Sequence, residues 1–282
     1  MGTSEVLAIA ELDVRDVDAC LKLSDEAGWN QTAEDWRLFI EEGRTFGVCD
    51  ADGALVATAA ALPYERDLAY VAMVLVTRSR RREGIASRLV DLCVDHIRRL
   101  RLVPVLDATE AGEKVYSQQG FRSLFGLERW QGEAEAADAP AAAGIQAALP
   151  GDIEVVSALD AGAIGAPRRA VIADFVGRAG SQAFLSADRS GFVLVRRGRR
   201  ALQLGPLVAG TPAEALKLLG TALGAFSGAV FIDVPVLQKG IGDWLAARGF
   251  TRQRGFSRMA LGRSEPFGAT DRLFASSGPE FG

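Results

Sequence analysis

The sequence predicts an α/β protein that contains two successive units of similar design. Its 282 residues are enough for two domains of ordinary size. In both halves, short apolar runs of strand length alternate with segments in which apolar residues recur at helical spacing. The segments "VLDATEAGEKVYSQQGF" and "FIDVPVLQKGIGDWLAARGF" share an order of strand, acidic turn, short helix and Gly-Phe. This similarity indicates an internal repeat.

Residues 1–130 form the first predicted unit. A helix over 15–27 ends at Gly28, and a second helix begins after the capping residue Thr32. Strands follow at "TFGVCD", "ALVATAAAL" and "LAYVAMVLVT", and the last of these is a continuous apolar run typical of a central strand. A helix over 84–100, a strand at "VPVLDA", a short helix and a strand at "GFRSLFGLERW" complete the unit.

The second half is divided by composition. Residues 131–151 are rich in alanine, glycine and acidic residues and are predicted to be a linker. Residues 152–265 form the second unit, which is expected to begin with a strand at "IEVVSAL". Residues 266–282 are a tail, which is expected to be a frayed terminus.

The composition excludes several functional classes. The chain has 32 basic and 36 acidic residues, a net charge of −4, which argues against a broad nucleic-acid-binding face. There is no apolar run long enough for a membrane span and no signal peptide, so a cytoplasmic protein without membrane contact is expected. Cys20, Cys49 and Cys93 are predicted to be reduced thiols in the core. With His96 as its single histidine, the chain is not expected to hold a metal.

One short stretch, "VTRSRRREGIASRLV", concentrates positive charge in this acidic chain. It reads as a buried strand, a basic turn with Arg78 and Arg80, a glycine and the beginning of a helix. A helix N-terminus presents unpaired N–H groups, and Gly84 allows the backbone to approach a ligand closely. The pattern therefore predicts a phosphate or pyrophosphate site. A solvated loop and a nucleic-acid contact are the alternatives, and the acidic surroundings disfavour the second.

The same stretch resembles the acyl-CoA-binding motif of the GNAT superfamily of N-acetyltransferases. The resemblance implies two tandem GNAT-like domains, each a mixed, mainly antiparallel twisted sheet flanked by helices. It also implies acetyl-CoA as cosubstrate, with the pantetheine arm along the strand and the pyrophosphate on the loop amides. The cofactor-binding residues implied in this way are Val74, Leu75, Val76, Arg81, Arg82, Gly84, Ile85, Ala86 and Ser87.

A second GNAT element follows at "TEAGEKVYSQQGF". There the resemblance makes Tyr116 the general acid that protonates the departing thiolate, and it places Thr109 where the family usually has a cofactor-binding Asn. A phenol can serve as this acid, because its ordinary pKa of about 10, above the pKa of a thiol at about 8.5, keeps it protonated at neutral pH. The alternative is a tyrosine that only packs against the core.

Candidate acceptor-binding residues come from two places. Trp29, Asn30 and Gln31 lie between the first two helices, in a connection that the resemblance places over the acceptor entrance, and Met73 lies on the central strand. A capping Asn beside a packing Trp is the alternative for the first group.

The general base is not evident from the sequence. The carboxylates considered are Glu65, Asp67, Asp107, Glu110 and Asp233, together with a bound water. The tail "RLFASSGPEFG" adds Glu280 and a terminal carboxylate, and some tandem GNAT enzymes place such a carboxylate in the active site. If the tail acts in this way, removal of residues 278–282 would reduce turnover far more than stability.

The second unit repeats the order of strands and helices of the first but lacks its candidate functional residues. It lacks the arginine-glycine loop, and Leu245 stands where Tyr116 would recur. One active site per chain is therefore expected, with the second unit either shaping the acceptor pocket or only stabilising the first. The predicted function is acetyl transfer from acetyl-CoA to the amine of a small molecule; the alternative is a non-catalytic acyl-CoA sensor. The acceptor, the acyl length and the oligomeric state stay open, with a homodimer among the candidates.

Overall fold

The computed structural model describes residues 8–136 and 141–282. Within these residues the chain forms eight α-helices and thirteen β-strands. The helices α1 to α8 are Val17–Ala27, Ala33–Glu41, Ile85–Arg99, Glu110–Gln118, Ile153–Ile164, Arg169–Gly177, Pro212–Gly224 and Lys239–Ala246. The strands β1 to β13 are Ile9–Glu11, Arg44–Cys49, Leu55–Pro63, Leu68–Val76, Val103–Thr109, Phe121–Ala134, Ile145–Ala147, Gln182–Ser186, Phe192–Arg196, Leu202–Val208, Gly228–Pro235, Thr251–Leu261 and Leu273–Ala275.

The described strands form a single mixed, mainly antiparallel sheet. Their order is β1-β2-β3-β4-β5-β12-β6-β11-β10-β9-β8-β7, and β13 pairs with β10. The parallel pairs are β4 with β5 and β10 with β11. The predicted α/β class and the mixed, mainly antiparallel sheet with flanking helices are confirmed.

The two halves of the chain exchange strands at the middle of this sheet. β12, from the second half, lies between β5 and β6 of the first half. β6 in turn pairs along its length with β11 of the second half. Because the sheet runs without interruption through both halves, the positions of the domain boundaries stay a prediction.

Three apolar clusters hold the helices against the sheet. One contains residues of α1, α2, α5 and α6 and therefore joins the two halves, with Trp36, Phe39, Phe175 and Phe281 fully buried in it. A second packs α3 against the strands of the first half. The third packs α7 and α8 against the strands of the second half. Because this cluster contains residues of both halves, packing of the second half stabilises the first half.

Local signals predicted the first helices correctly. Gly28 ends α1 in the left-handed conformation, with φ of 72°. Thr32 caps α2, and Asp35 accepts a hydrogen bond from the backbone N–H of Thr32 in return. Helix α3 follows Gly84, as expected from the arginine stretch.

Two predictions for the second half were wrong. The expected strand at "IEVVSAL" is the first part of α5. Residues Pro150–Asp152 form a short helical turn, Asp152 accepts a hydrogen bond from the backbone N–H of Leu149, and the helix continues from this turn despite the β-branched residues. The tail is not frayed, since residues 273–277 and 280–282 are buried. In addition, β6 extends to Ala134, inside the predicted linker, and residues 137–140 of that linker lie outside the described residues.

The tail fills a gap in the second half of the sheet. β10 and β11 pair in parallel only over Leu202–Leu204 and Val230–Ile232. Beyond this point β13 pairs with β10, and the backbone N–H of Ser276 donates to the carbonyl oxygen of Asp233 on β11. The tail therefore occupies the space between the diverging ends of β10 and β11.

The close approach of the tail to β10 depends on Gly205. Its φ is 138°, and an added Cβ atom would lie 1.9 Å from the carbonyl oxygen of Ser276. Gly205→Ala should therefore destabilise the protein by on the order of 3 kcal/mol or more, through backbone strain and displacement of the tail. The melting temperature measures this effect.

Gly228→Ala is the matched control for this prediction. Gly228 also has a positive φ, 113°, but no atom lies within 4 Å of an added Cβ. Gly228→Ala should therefore lower the stability only by the backbone strain of an alanine at positive φ, about 1–3 kcal/mol. Equal effects of the two substitutions would mean that the tail does not pack against β10 in this way.

Candidate active site

A cavity of about 480 Å³ opens where β4 and β5 diverge. The two strands pair only over Leu68–Tyr70 and Val103–Val105. After this point β5 pairs with β12 instead, so the edges of β4 and β5 face one another across a gap. The cavity is lined by Gly28, Trp29, Asn30, Gln31, Val71, Ala72, Met73, Val74, Leu106, Asp107, Ala108, Thr109, Gly112, Tyr116, Arg129, Gln131, Arg200, Phe231, Gln253, Arg254, Phe256, Pro279 and Glu280.

A β-bulge distorts β4 at the cavity. Thr58 and Ala60 of β3 face Leu75 and Ala72 of β4, so that β4 has one extra residue in this interval. Met73 within it has a φ of 54° and is buried. The hydroxyl of Thr58 donates a hydrogen bond of 2.8 Å to the carbonyl oxygen of Met73. The bulge changes the direction of the backbone groups of β4 where the cavity begins.

The arginine loop lies between the end of β4 and the N-terminus of α3. Arg82 and Gly84 are both left-handed, with φ of 69° and 77°, and nothing lies within 4 Å of a Cβ added to Gly84. A turn that contains left-handed residues can direct neighbouring backbone N–H groups to one side and form an anion-binding concavity. The side chain of Ile85 is buried in the core, so any contact of Ile85 with a ligand would be through its backbone.

The arginines of this loop are not equivalent. Glu26 accepts hydrogen bonds from the backbone N–H of Arg78 and from the hydroxyl of Thr77. The guanidinium of Arg80 pairs with Glu83. Arg81 Nε donates to the carbonyl oxygen of Val76 at 3.2 Å, whereas the exposed side chain of Arg82 has no partner in the described part of the chain.

Tyr116 projects from α4 into the cavity. Its ring packs over Gly112, where a Cβ would lie 3.1 Å from the ring, and against Phe121 at a centroid distance of 6.0 Å. Burial raises the pKa of Tyr116 to about 12, and the nearby thiol of Cys93 acts in the same direction. The phenol therefore stays protonated at neutral pH. The hydroxyl of Thr109 is used locally, because it accepts from the backbone N–H of Gly112 and caps α4.

The predicted acceptor residues all line the cavity, but they differ in whether their polar atoms are available to a ligand. Trp29 is half-buried. The side-chain oxygen of Asn30 accepts from the backbone N–H groups of Arg200 and Ala201, and its nitrogen donates to the carbonyl oxygen of Ala201. Asn30 thus uses its amide to hold a turn of the second half. Gln31 is buried, and its side-chain oxygen has no hydrogen-bond partner among the described residues.

The carboxylates that the sequence offered as bases are engaged or exposed. Asp107 receives two hydrogen bonds of 2.8 Å from Arg258. Asp233 lies at the same distance from two nitrogens of Arg129 and also accepts from Gln203. The side chains of Glu65, Asp67 and Glu110 are exposed and do not line the cavity.

Glu280, from the tail, is the carboxylate with a free oxygen in this cavity. Arg196 donates a hydrogen bond of 2.8 Å to Oε1, while Oε2 is buried without a partner among the described residues. Burial raises the pKa of Glu280 to about 7, and the charge of Arg196 opposes that rise. A carboxyl group of this pKa can accept a proton near neutral pH.

The residues around Glu280 fix its position. Phe281 stacks on Phe39 and contacts Phe175 edge-on, both at 4.9 Å between ring centroids. Arg168 donates to the carbonyl oxygen of Phe281 at 2.6 Å. Removal of residues 278–282 would therefore also remove core packing, so a substitution of Glu280 alone is the cleaner experiment.

Several lining residues were missed by sequence reasoning. The strand exchange brings Gln253, Arg254 and Phe256 of β12 and Phe231 of β11 next to the first half. No local pattern marks these residues, because their contribution depends on the pairing of strands about 100 to 150 residues apart in sequence.

The corresponding cleft of the second half is built differently. The space between β10 and β11 is filled by β13, as described above, and β10 leads into α7 through a Thr211 cap followed by Pro212. Leu245 is fully buried in the core. The second half thus offers neither a basic loop nor an open gap at this place.

Comparison with known proteins agrees with this geometry. Residues 13–121 match the acetyltransferase (GNAT) family model, and residues 156–275 match a second acetyltransferase (GNAT) domain model. Two GNAT domains follow one another in this chain. The second GNAT match confirms the internal repeat, and the resemblance read from the arginine loop and Tyr116 is confirmed at the level of the family.

Similar proteins support the tandem GNAT assignment. An uncharacterized N-acetyltransferase of Bacillus subtilis, YitH, is 22% identical over 254 residues, which cover 86% of this chain and 87% of that protein. A crystal structure of a proposed acetyltransferase from Pyrococcus horikoshii covers 100% of this chain and 98% of its own, with a TM-score of 0.82 and 20% identity. A tandem GNAT protein from the clavulanic acid biosynthesis pathway covers 92% and 100%, with a TM-score of 0.63 and 16% identity.

Neither a membrane-spanning helix nor a metal site is found in the described part of the chain. No helix among residues 8–136 and 141–282 is long and apolar enough to cross a membrane. In the same ranges, no group of three His, Cys, Asp or Glu residues is placed to hold a metal ion.

Proposed function

We propose that the tandem GNAT protein transfers an acetyl group from acetyl-CoA to the amine of a small molecule in the cavity of its first domain. The observation that carries this proposal is that one cavity between β4 and β5 is lined by both Tyr116 and Glu280. The first is a phenol held protonated, and the second is a carboxyl group that titrates near neutral pH. The two groups can therefore play opposite roles in proton transfer.

The residues present fit the cosubstrate. The gap between β4 and β5 leaves an open strand edge at Val74, Leu75 and Val76 for an extended chain such as pantetheine. The open space at Gly84, the N-terminus of α3 and the unpaired Arg82 suit a pyrophosphate. Backbone groups at the β4 bulge would polarise a carbonyl placed there.

The proposed chemistry is direct transfer. Acetyl-CoA, when bound, supplies the thioester that is attacked. Glu280 accepts a proton from the acceptor amine as the N–C bond forms, and Tyr116 donates its hydrogen to the sulfur as the C–S bond breaks. Burial raises the pKa of Tyr116 to about 12, so the phenol keeps its proton until negative charge develops on the sulfur. Exchange with solvent restores both groups.

Thiol release from acetyl-CoA, measured across a panel of amines, tests this function. Amine-dependent release with formation of the acetylated amine is the expected result. The alternative is an acyl-CoA sensor without catalysis. Tight CoA binding with no turnover on any amine would support the sensor and contradict the proposed reaction.

Charge reversal in the loop tests the position of the cosubstrate. Arg82→Glu should weaken CoA binding by about tenfold or more, because an ionic hydrogen bond to a pyrophosphate is replaced by repulsion. The dissociation constant from calorimetry at low and moderate salt measures this effect.

Arg78→Glu serves as the matched control for Arg82→Glu. The backbone of Arg78 is already held by Glu26, and its guanidinium donates to the carbonyl oxygen of Glu26 at 3.3 Å. We therefore expect a smaller loss of affinity at Arg78 than at Arg82. The reverse order would mean that the pyrophosphate lies elsewhere on the loop.

A further inference from the structure

The cavity carries positive charge that the proposed reaction does not use. Of its charged lining residues, Asp107 and Arg129 are each paired with an opposite charge, Arg258 and Asp233. Glu280 is paired with Arg196 through one oxygen. Arg254 makes no ion pair with any residue of the described chain, and it lines the cavity on the strand that the second half contributes.

A β-bulge directs Arg254 to the cavity. Arg252 faces Trp130 of β6 and Arg254 faces Arg129, so that Gln253 is an extra residue in β12. Both Gln253 and Arg254 consequently line the cavity, although successive residues of a regular strand point to opposite faces.

Hydrogen bonds hold this side of the cavity in place. Arg254 Nε donates to Gln253 Oε1 at 3.1 Å, and Gln253 in turn donates to Gln131 at 2.7 Å. This arrangement leaves the two terminal nitrogens of the Arg254 guanidinium without a partner among the described residues. Those two nitrogens have the geometry that a carboxylate accepts.

The electrostatic surroundings of Arg254 favour an anion. The side chain of Arg254 is exposed at the mouth of the cavity, and partial desolvation together with the charge of Arg129 lowers its pKa, which Asp233 only partly offsets. Arg200, exposed at the same cavity, adds a further positive charge. A carboxylate near Arg254 would relieve this repulsion, whereas a second cation, as in a polyamine, would increase it.

We propose that the acceptor is a primary amine that also carries a carboxylate, with the amine at Glu280 and the carboxylate at Arg254. This inference rests on the proposed function and names the substrate class for the same site. The rings of Phe231 and Phe256 flank the guanidinium of Arg129, at 5.0 and 5.4 Å from its carbon to the ring centroids. They give the cavity an apolar surface for the part of the acceptor between its two charged ends.

Matched acceptors test this proposal. Leucine, leucinamide and isopentylamine share one side chain and one amine. Leucine adds a carboxylate, leucinamide adds an amide, and isopentylamine has neither group. Lysine, lysinamide and cadaverine form a second set with the same differences. We expect kcat/KM to be highest for the carboxylate in each set, by about tenfold or more, because the ionic hydrogen bonds are lost in the others. Equal or better use of the amides or of cadaverine would overturn the proposal.

Substitutions locate the effect at Arg254. Arg254→Gln should reduce kcat/KM by about tenfold or more for the carboxylates and by much less for the amides, and Arg254→Lys should restore part of the loss. The control is Arg252→Gln, because Arg252 pairs with Glu128 and does not line the cavity. An equal loss for carboxylates and amides in Arg254→Gln would contradict the assignment.

A binding measurement separates this inference from the proposed function. If no amine supports turnover, calorimetry of leucine and leucinamide with the CoA-loaded protein still reports recognition. Preferential binding of leucine that is lost in Arg254→Gln would support the carboxylate site while contradicting catalysis. Turnover without a preference for carboxylates would support catalysis and overturn the carboxylate site, and absence of both binding and turnover would overturn both.

Discussion

Tyr116→Phe should lower kcat by about 10²–10⁴ while the affinity for CoA stays the same, because general acid catalysis by a positioned side chain contributes rates of this order. The substitution keeps the ring that packs over Gly112 and against Phe121 and removes only the hydroxyl. Steady-state turnover and a CoA-binding isotherm, measured on the same preparation, separate the two effects.

Tyr70→Phe is a suitable control for this substitution. The hydroxyl of Tyr70 is buried without a partner among the described residues, and it does not line the cavity. Tyr70→Phe should therefore have little effect on turnover. An unchanged kcat in Tyr116→Phe would show that Tyr116 only packs against the core, and the proton for the thiolate would then come from another source.

Glu280→Gln should lower kcat/KM by about 10²–10³ and change its dependence on pH. In the native protein we expect activity to rise with pH through about 7, because the charged carboxylate of Glu280 is the form that accepts a proton. The glutamine cannot titrate, so this rise should be absent from the pH profile of the variant.

The design of this experiment limits structural side effects. Glutamine retains an oxygen that can accept the hydrogen bond of Arg196, so the tail should keep its position. Glu265→Gln, at an exposed position just before the tail, controls for the loss of a negative charge. A pH profile of Glu280→Gln that still rises near 7 would assign the titration to another group, such as the acceptor amine.

The parts of the site that the sequence predicted are those that depend on local structure. The arginine loop, Gly84 and the N-terminus of α3 belong to one continuous segment, and the residue types of this segment predict its conformation. Tyr116 was identified in the same way, from its spacing to Gly-Phe. All the predicted acceptor residues line the cavity, although Asn30 is engaged with the second half.

The parts that were not predicted depend on contacts between distant segments. The sequence offered Glu280 and the terminal carboxylate as a base only through the GNAT resemblance, and the tail itself was expected to be frayed, because nothing in "SSGPEFG" predicts that the tail enters the core. Its position follows from the packing of Phe281 and from the hydrogen bonds of Arg168 and Arg196. The place of Arg254 follows from a strand exchange that leaves no trace in periodicity or composition.

The exchange of strands has a consequence for the order in which the chain folds. β5 pairs with β12, so that Thr109 faces Phe256, and the cavity lacks part of its wall until β12 has been synthesised. Pairings of such high contact order form slowly, and synthesis proceeds at about 5–20 residues per second. During synthesis the edge of β5 is therefore left without its partner for about 7–30 seconds, the time needed to make the residues between β5 and β12. A nascent chain in this state exposes an unpaired strand edge, and the cavity of the first half is complete only once β12 and the tail are present.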